Sequence, residues 1–316
     1  MDELATWLPA VMAVHMPHSW GDVLDAGTGR GSFAWLGIQP VRSLTGVTVE
    51  ARTFSEVEQV TSEWQTPHRR LLVGDWRNAS LLTGEQFDVV VCDYLFGSID
   101  HFAPYWQAGA FARLRGMVRP GGLMVIVGRE PLSLAGADEI IQEVERLRDA
   151  AMLLGGQRPY RELPLSWATS TINTSGFTLL ERHTFERRVD DAWILNEIRW
   201  SRMETKKIAD AALRSALSDQ LDVIQQRVQR MSKSGEHMLG FDYALVARKS
   251  HPVPRINEPQ AAEQSDRMLL DLPSCRTCDR LRRARAVDPT LSSTASSSWN
   301  SDHKSPAAVE QDRREL

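Results

Sequence analysis

From position 22 onward the chain alternates short apolar runs with stretches of helical spacing, and this alternation constrains its fold more than any single motif. The runs DVLDA (22–26), LTGVTV (44–49), RLLVG (70–74), FDVVVCD (87–93) and LMVIVG (123–128) suit parallel strands covered on both faces. Between them Phe54, Val57, Val60 and Trp64, and later Phe111, Leu114 and Val118, recur every three or four residues, which is the period of a helix with one buried side. A βαβα series of this kind predicts an α/β fold, an open doubly wound sheet with helices on both faces. Two further runs, GFTLLERHTF (176–185) and GFDYALVAR (240–248), bring the expected strands to seven.

The segments around this frame read more simply. MDELATWLPAVMAVHM opens on acids where a signal peptide needs basic residues, so residues 1–20 are expected to form a capping helix. Ile140, Ile141, Val144, Leu147, Ala151 and Leu154 form one stripe that ends at Gly155 and Gly156, as a helix ends. A helical insert over 188–235 carries a second stripe through Trp193, Ile194, Ile198, Ile208, Leu217, Leu221, Ile224 and Val228. It must face the core, a lid or a homodimer partner. From Ser250 the chain holds ten basic and ten acidic residues, scattered prolines and LSSTASSSWNS. So little clustered apolar surface cannot offset chain entropy, so 250–316 is expected to be a disordered tail and 21–249 the working domain.

Bulk properties exclude several function classes. A net charge of -4 gives no basic face for phosphates, which points away from nucleic acid and towards a small-molecule partner. No apolar run approaches the ~20 residues of a membrane span. Cys92, Cys275 and Cys278 are too few for a disulfide framework, which suits the cytoplasm. The tail's CRTCDRLRRAR holds a single CxxC pair, half of a zinc set, so no metal is expected.

The chemistry centres on DAGTGRGSF (25–33). Asp25 ends the first strand, and the glycines let a ligand approach backbone N–H groups at the start of a helix. A nicotinamide-dependent oxidoreductase would need glycine at the sixth position of GTGRGS, where Ser32 stands.

LDAGTGRGSF resembles the first motif of the class I S-adenosylmethionine-dependent methyltransferases, and three further stretches resemble their motifs in order: VGDW (73–76), FDVVVCDY (87–94) and RGMVRPGGLMVIV (115–127). The resemblance spans roughly Asp22 to Lys249. It implies a Rossmann-like, mostly parallel sheet whose seventh strand runs antiparallel between the fifth and sixth. It also implies S-adenosylmethionine as cofactor. Asp25, Gly27, Thr28, Gly29 and Gly31 would hold its methionine part, Asp75 and the Trp76 N–H its adenine, and Asp93 would end beneath the transferable methyl. The family places an acid at the end of the second strand for the ribose; here Thr48 occupies that position and Glu50 follows two residues later. A carboxylate can accept from two hydroxyls, which favours Glu50.

Ligands of such sheets bind beyond the carboxyl ends of the strands. DYLFGSIDHFAPYW (93–106) therefore borders the reacting methyl, with Asp93, Tyr94 and His101 as candidate bases and Asp100 as a substrate contact. These groups favour an oxygen acceptor. RPYRELPLSW (158–167) lies where the family builds its substrate lid, and Arg158, Tyr160, Arg161 and Glu162 could meet an anionic or polar acceptor. The absence of a DPPY motif and the position of Cys92 inside an apolar strand argue against base methylation. The two stretches resemble a branch of the superfamily without an assigned substrate. A protein that binds the cofactor without methylating is the rival reading, kept open by Thr48.

Overall fold

The structure is a computed structural model, and it describes residues 3–61, 68–231 and 235–251. Seven strands form one sheet: β1 (Gly21–Asp25), β2 (Val41–Thr48), β3 (Arg69–Val73), β4 (Phe87–Asp93), β5 (Val118–Arg129), β6 (Phe177–Val189) and β7 (His237–Lys249). Their order is β3-β2-β1-β4-β5-β7-β6. The first five strands pair in parallel, and β7 pairs antiparallel with both β5 and β6. The expected architecture is therefore present, including the inverted seventh strand.

Strand periodicity decides which helix each side chain meets. On one face Leu24, Val90, Cys92, Met124 and Ile126 pack with helices α4 (Leu95–Phe102), α5 (Gln107–Met117) and α7 (Leu165–Thr174). On the other, Val23, Val89, Val91, Val125 and Val127 pack with α1 (Glu3–His15), α2 (Arg30–Gly37) and α3 (Ala51–Thr61). Both faces are covered, so the central strands are apolar throughout rather than alternating. Trp64, expected at the end of α3, lies outside the described residues.

Three differences from the sequence reading have physical causes. The polar-looking DYLFGSIDHF contains α4, because Leu95, Phe96 and Ile99 share one buried side at helical spacing. SWATSTINT is helical in α7, which starts after Pro164 and buries Ala168 and Ile172; the Glu130 carboxylate accepts the Leu165 N–H at 2.7 Å, as an acid at a helix start should. Pro120, Gly121 and Gly122, which look like a turn, form a bulge inside β5. Partners jump from Phe87↔Val118 to Val89↔Leu123, and Gly121 takes φ +78°, which glycine adopts without strain.

The helical insert forms α8 (Asp191–Thr205) and α9 (Ala211–Arg230). Their stripe residues Ile194, Ile198, Leu221, Ile224 and Val228 are buried with Ile140, Ile141 and Val144 of α6 (Glu139–Leu154), so the apolar side is covered within the chain. Among the described residues, no helix is long and apolar enough to cross a membrane, and no cluster of side chains could hold a metal ion. Cys275, Cys278 and all but the first two residues of the expected tail lie outside the described residues.

Candidate active site

A cavity of about 280 Å³ opens at the carboxyl ends of β1, β2, β3 and β4. Gly27, Thr28 and Gly29 line it from the first loop, Thr48 and Glu50 from the second, Asp75 and Trp76 from the third, and Asp93 and Tyr94 from the fourth. Four segments separated by up to seventy residues converge there because parallel strands end their right-handed crossovers on one edge.

The first loop is held from below. Asp25 is fully buried, and its Oδ2 accepts the Ser32 hydroxyl at 2.8 Å. Ser32 Oγ accepts the Gly29 N–H in turn at 3.1 Å. Thr28 donates its hydroxyl to the Asp25 carbonyl and its N–H to the Val47 carbonyl. The residue that departs from the dinucleotide pattern, Ser32, is thus the strut between loop and strand. Asp25 does not line the cavity: it orients the loop from beneath, with Oδ1 buried and without a hydrogen-bond partner. Burial, and then the neighbouring Asp93 carboxylate, push its carboxyl up to about 7. Gly31 is also outside the cavity, being the second residue of α2 and exposed; the helix has already turned away from the loop there.

On the far side, Trp76 is buried and donates its indole N–H to the Ala26 carbonyl at 2.7 Å. A contact to an adenine nitrogen would therefore fall to the Trp76 backbone. The Asp75 carboxylate is bracketed by the Arg77 guanidinium, with Nη2 at 2.6 Å, and this pairing draws its pKa below the usual carboxylate value. Both Thr48 and Glu50 face the cavity. Thr48 is buried and its Oγ1 accepts the Glu50 N–H at 3.3 Å, while the exposed Glu50 carboxylate accepts the Thr53 hydroxyl at 3.1 Å.

Four candidate contacts to the acceptor are employed elsewhere. The Tyr94 phenol donates to Asp242 at 2.7 Å, and burial, followed by the Asp242 charge, raises its pKa well above the ordinary tyrosine value. Asp100 is buried and paired with Arg158 at 3.1 Å, and also accepts from the Tyr105 N–H and from Gln107. His101 Nδ1 donates to the Arg158 carbonyl, because a carbonyl can only accept. Arg161 pairs with Asp149 at 2.9 Å. His101 and Arg161 line a second cavity of about 500 Å³, between the α4 end, α6 and the 158–162 segment. Tyr160 lines both cavities.

Sequence reasoning missed Gly46, Leu95 and Gly97. A Cβ on Gly46 would lie 2.6 Å from both Phe33 and Thr28 Oγ1, and one on Gly27 would lie 3.0 Å from Leu95. These glycines let β2 and α4 close on the loop. Nothing in a one-dimensional pattern marks such contacts across the fold.

The topology and the cavity define a class: a seven-stranded α/β protein with a cavity over a glycine loop at the strand ends. A methyltransferase domain family matches residues 23–122. Among solved structures, a presumed methyltransferase of Bacillus halodurans C-125 is 18% identical, covering 78% of this chain and 100% of its own, with a TM-score of 0.51. The YcgJ protein from Bacillus subtilis is 16% identical, over 77% of this chain and 98% of its own, also with a TM-score of 0.51. At such identities the likeness is one of fold. None of the curated proteins compared with this chain matches it. Residues 23–122 thus match a methyltransferase domain, and the sheet as a whole has the fold of these solved structures.

Proposed function

We propose that the chain is a cytoplasmic methyltransferase that uses S-adenosylmethionine and acts on a small molecule. The observation that carries this reading is the convergence of three of the four motif segments, together with Thr48 and Glu50 at the end of β2, on one cavity. The residues present suit the group. A Cβ on Gly29 would meet nothing nearer than Ser32 Oγ at 4.0 Å, so the cradle at that point is open to the cavity. Gly27 to Gly29 would hold the methionine arm, Glu50 with Thr48 the ribose hydroxyls, and Asp75 with the Trp76 backbone the adenine. When bound, the sulfonium supplies an electrophilic methyl. The chain's own contribution is then to position the acceptor in line and exclude water.

Of the expected bases, Asp93 and Tyr94 border the cavity, and the oxygen-acceptor reading assigns the acceptor's proton to Asp93. The test is ligand-dependent stability. Adenosylhomocysteine at a hundredfold excess over its dissociation constant should add ~2.7 kcal/mol, a shift of several degrees in melting temperature, and NADH should add none. The reverse pattern would sink the reading. Label from S-adenosyl[methyl-14C]methionine should pass into a small product in a metabolite extract; binding without any transfer would favour the rival, a cofactor-binding protein with no methylating activity.

A further inference from the structure

The second cavity has an unusual balance of charge. Its guanidinium groups are already matched. Arg148 lies 3.1 Å from Glu197 and 3.5 Å from both Glu145 and Asp149. Arg161 is held by Asp149, and Arg129 by Asp242, which is outside the lining. Glu162 also lines the cavity, and among the described residues it has no ion-pair partner within 4 Å. Asp149 Oδ1 is buried and accepts no hydrogen bond. An anion entering here would find every guanidinium occupied by a carboxylate, whereas a cation would find carboxylate still to be neutralised.

The cavity also touches the first one. Tyr160 lines both. Glu162 lies directly against Gly97 of α4, where a Cβ would overlap its carboxylate, and the same helix presents Leu95, Ser98 and Ile99 to the first cavity. Ile141, Val144, Met152 and Trp193 supply apolar wall. The bare backbone of Gly97 thus brings a carboxyl to the partition between the two spaces.

We propose that this second cavity receives the methyl acceptor, and that the acceptor is a small molecule with an apolar body and a protonated amine held by Glu162 with support from Glu145. The assignment rests on the methyltransferase reading for the word acceptor; the charge preference of the cavity stands apart from it. It replaces the anionic acceptor that the arginines of 158–161 suggest in sequence. Burial above all pushes the Glu162 carboxyl up to about 7, against the opposing pull of the Arg129 charge and backbone N–H.

The experiment is calorimetric titration of the full chain, saturated with adenosylhomocysteine, with phenethylamine, 3-phenylpropionate and 2-phenylethanol. These three probes match in size and differ in charge. Phenethylamine should bind at least tenfold more tightly than the other two. Glu162→Gln should weaken it tenfold or more, with adenosylhomocysteine affinity unchanged within twofold. Glu145→Gln, from a different element, should weaken it by a smaller factor and keeps the test valid should the first variant fail to fold. Equal or tighter binding of the carboxylate or the alcohol, no binding of the amine, or variants that bind the amine as wild type does would overturn the proposal. Failure of adenosylhomocysteine to bind the wild-type chain would instead refute the cofactor reading, and the amine titration of the unliganded chain would still decide the charge preference.

Discussion

Tyr94 donates its phenol hydrogen to Asp242 Oδ2 at 2.7 Å, tying the residue after β4 to the antiparallel strand β7. Asp242 is 2% exposed and also pairs with Arg129 at 3.1 Å and Arg187 at 2.9 Å. A buried carboxylate between two guanidinium groups and a phenol is a fully partnered charge. The residue nearest in sequence to the site's Asp93 therefore serves the sheet. Tyr94→Phe should destabilise by about 1–2 kcal/mol in urea unfolding and leave adenosylhomocysteine affinity within threefold. A variant that binds normally but loses a hundredfold in methyl transfer would return Tyr94 to the chemistry.

Two glycines of the loop should respond in opposite ways. Gly29 has an extended backbone, φ -114° and ψ 170°, and open space at its Cβ position, so Gly29→Leu should fold with stability within about 1 kcal/mol of wild type. It should abolish the melting shift with adenosylhomocysteine. Gly27→Val would press on Leu95, whose nearest atom is 3.0 Å from the first added carbon, and overpacking of this kind costs about 1–3 kcal/mol. Equal losses of stability in the two variants would contradict the packing described.

Asp25 gives a signed pH effect. Its native pKa is raised from 3.8 to about 7, so between those values the folded chain holds a proton that the unfolded chain has released. The stability linked to this group is complete below pH 4 and is lost as pH rises through 7. Glu162 acts in the same direction and Asp22, drawn down chiefly by Arg42, in the other. Comparison with Asp25→Asn therefore isolates the one group. Relative to wild type, the variant's melting temperature should rise between pH 5 and pH 8. A constant difference across that range would remove the buried charge from the account.

Trp76 and Glu50 separate structure from binding. Trp76→Phe strips the Ala26 carbonyl of its indole donor and should cost about 1–3 kcal/mol of stability, since a buried acceptor is left unmet. Glu50 is exposed and lies on the cavity rim, so Glu50→Gln should change the melting temperature of the unliganded chain by less than a degree. Its adenosylhomocysteine affinity should fall roughly tenfold, the scale of a hydrogen bond to a charged group. An unchanged affinity would assign the ribose to Thr48.

The alternation of apolar runs determined the order of strands and helices, because burial on two faces demands continuous Val, Ile and Leu in β1, β4 and β5. The glycine loop and its following serine were equally legible, since a tight approach of backbone to ligand is a local requirement. Tertiary structure alone decided which polar residues were available to react. Asp100, His101 and Tyr94 sit in the right stretch of chain, yet Arg158, its carbonyl and Asp242 claim them from positions 57 to 148 residues away. The same holds for Glu162, made prominent by the arginines that bind its neighbours and by a glycine on another helix. Local pattern specifies backbone conformation; the charge a side chain can offer depends on partners that only the folded chain brings within hydrogen-bonding distance.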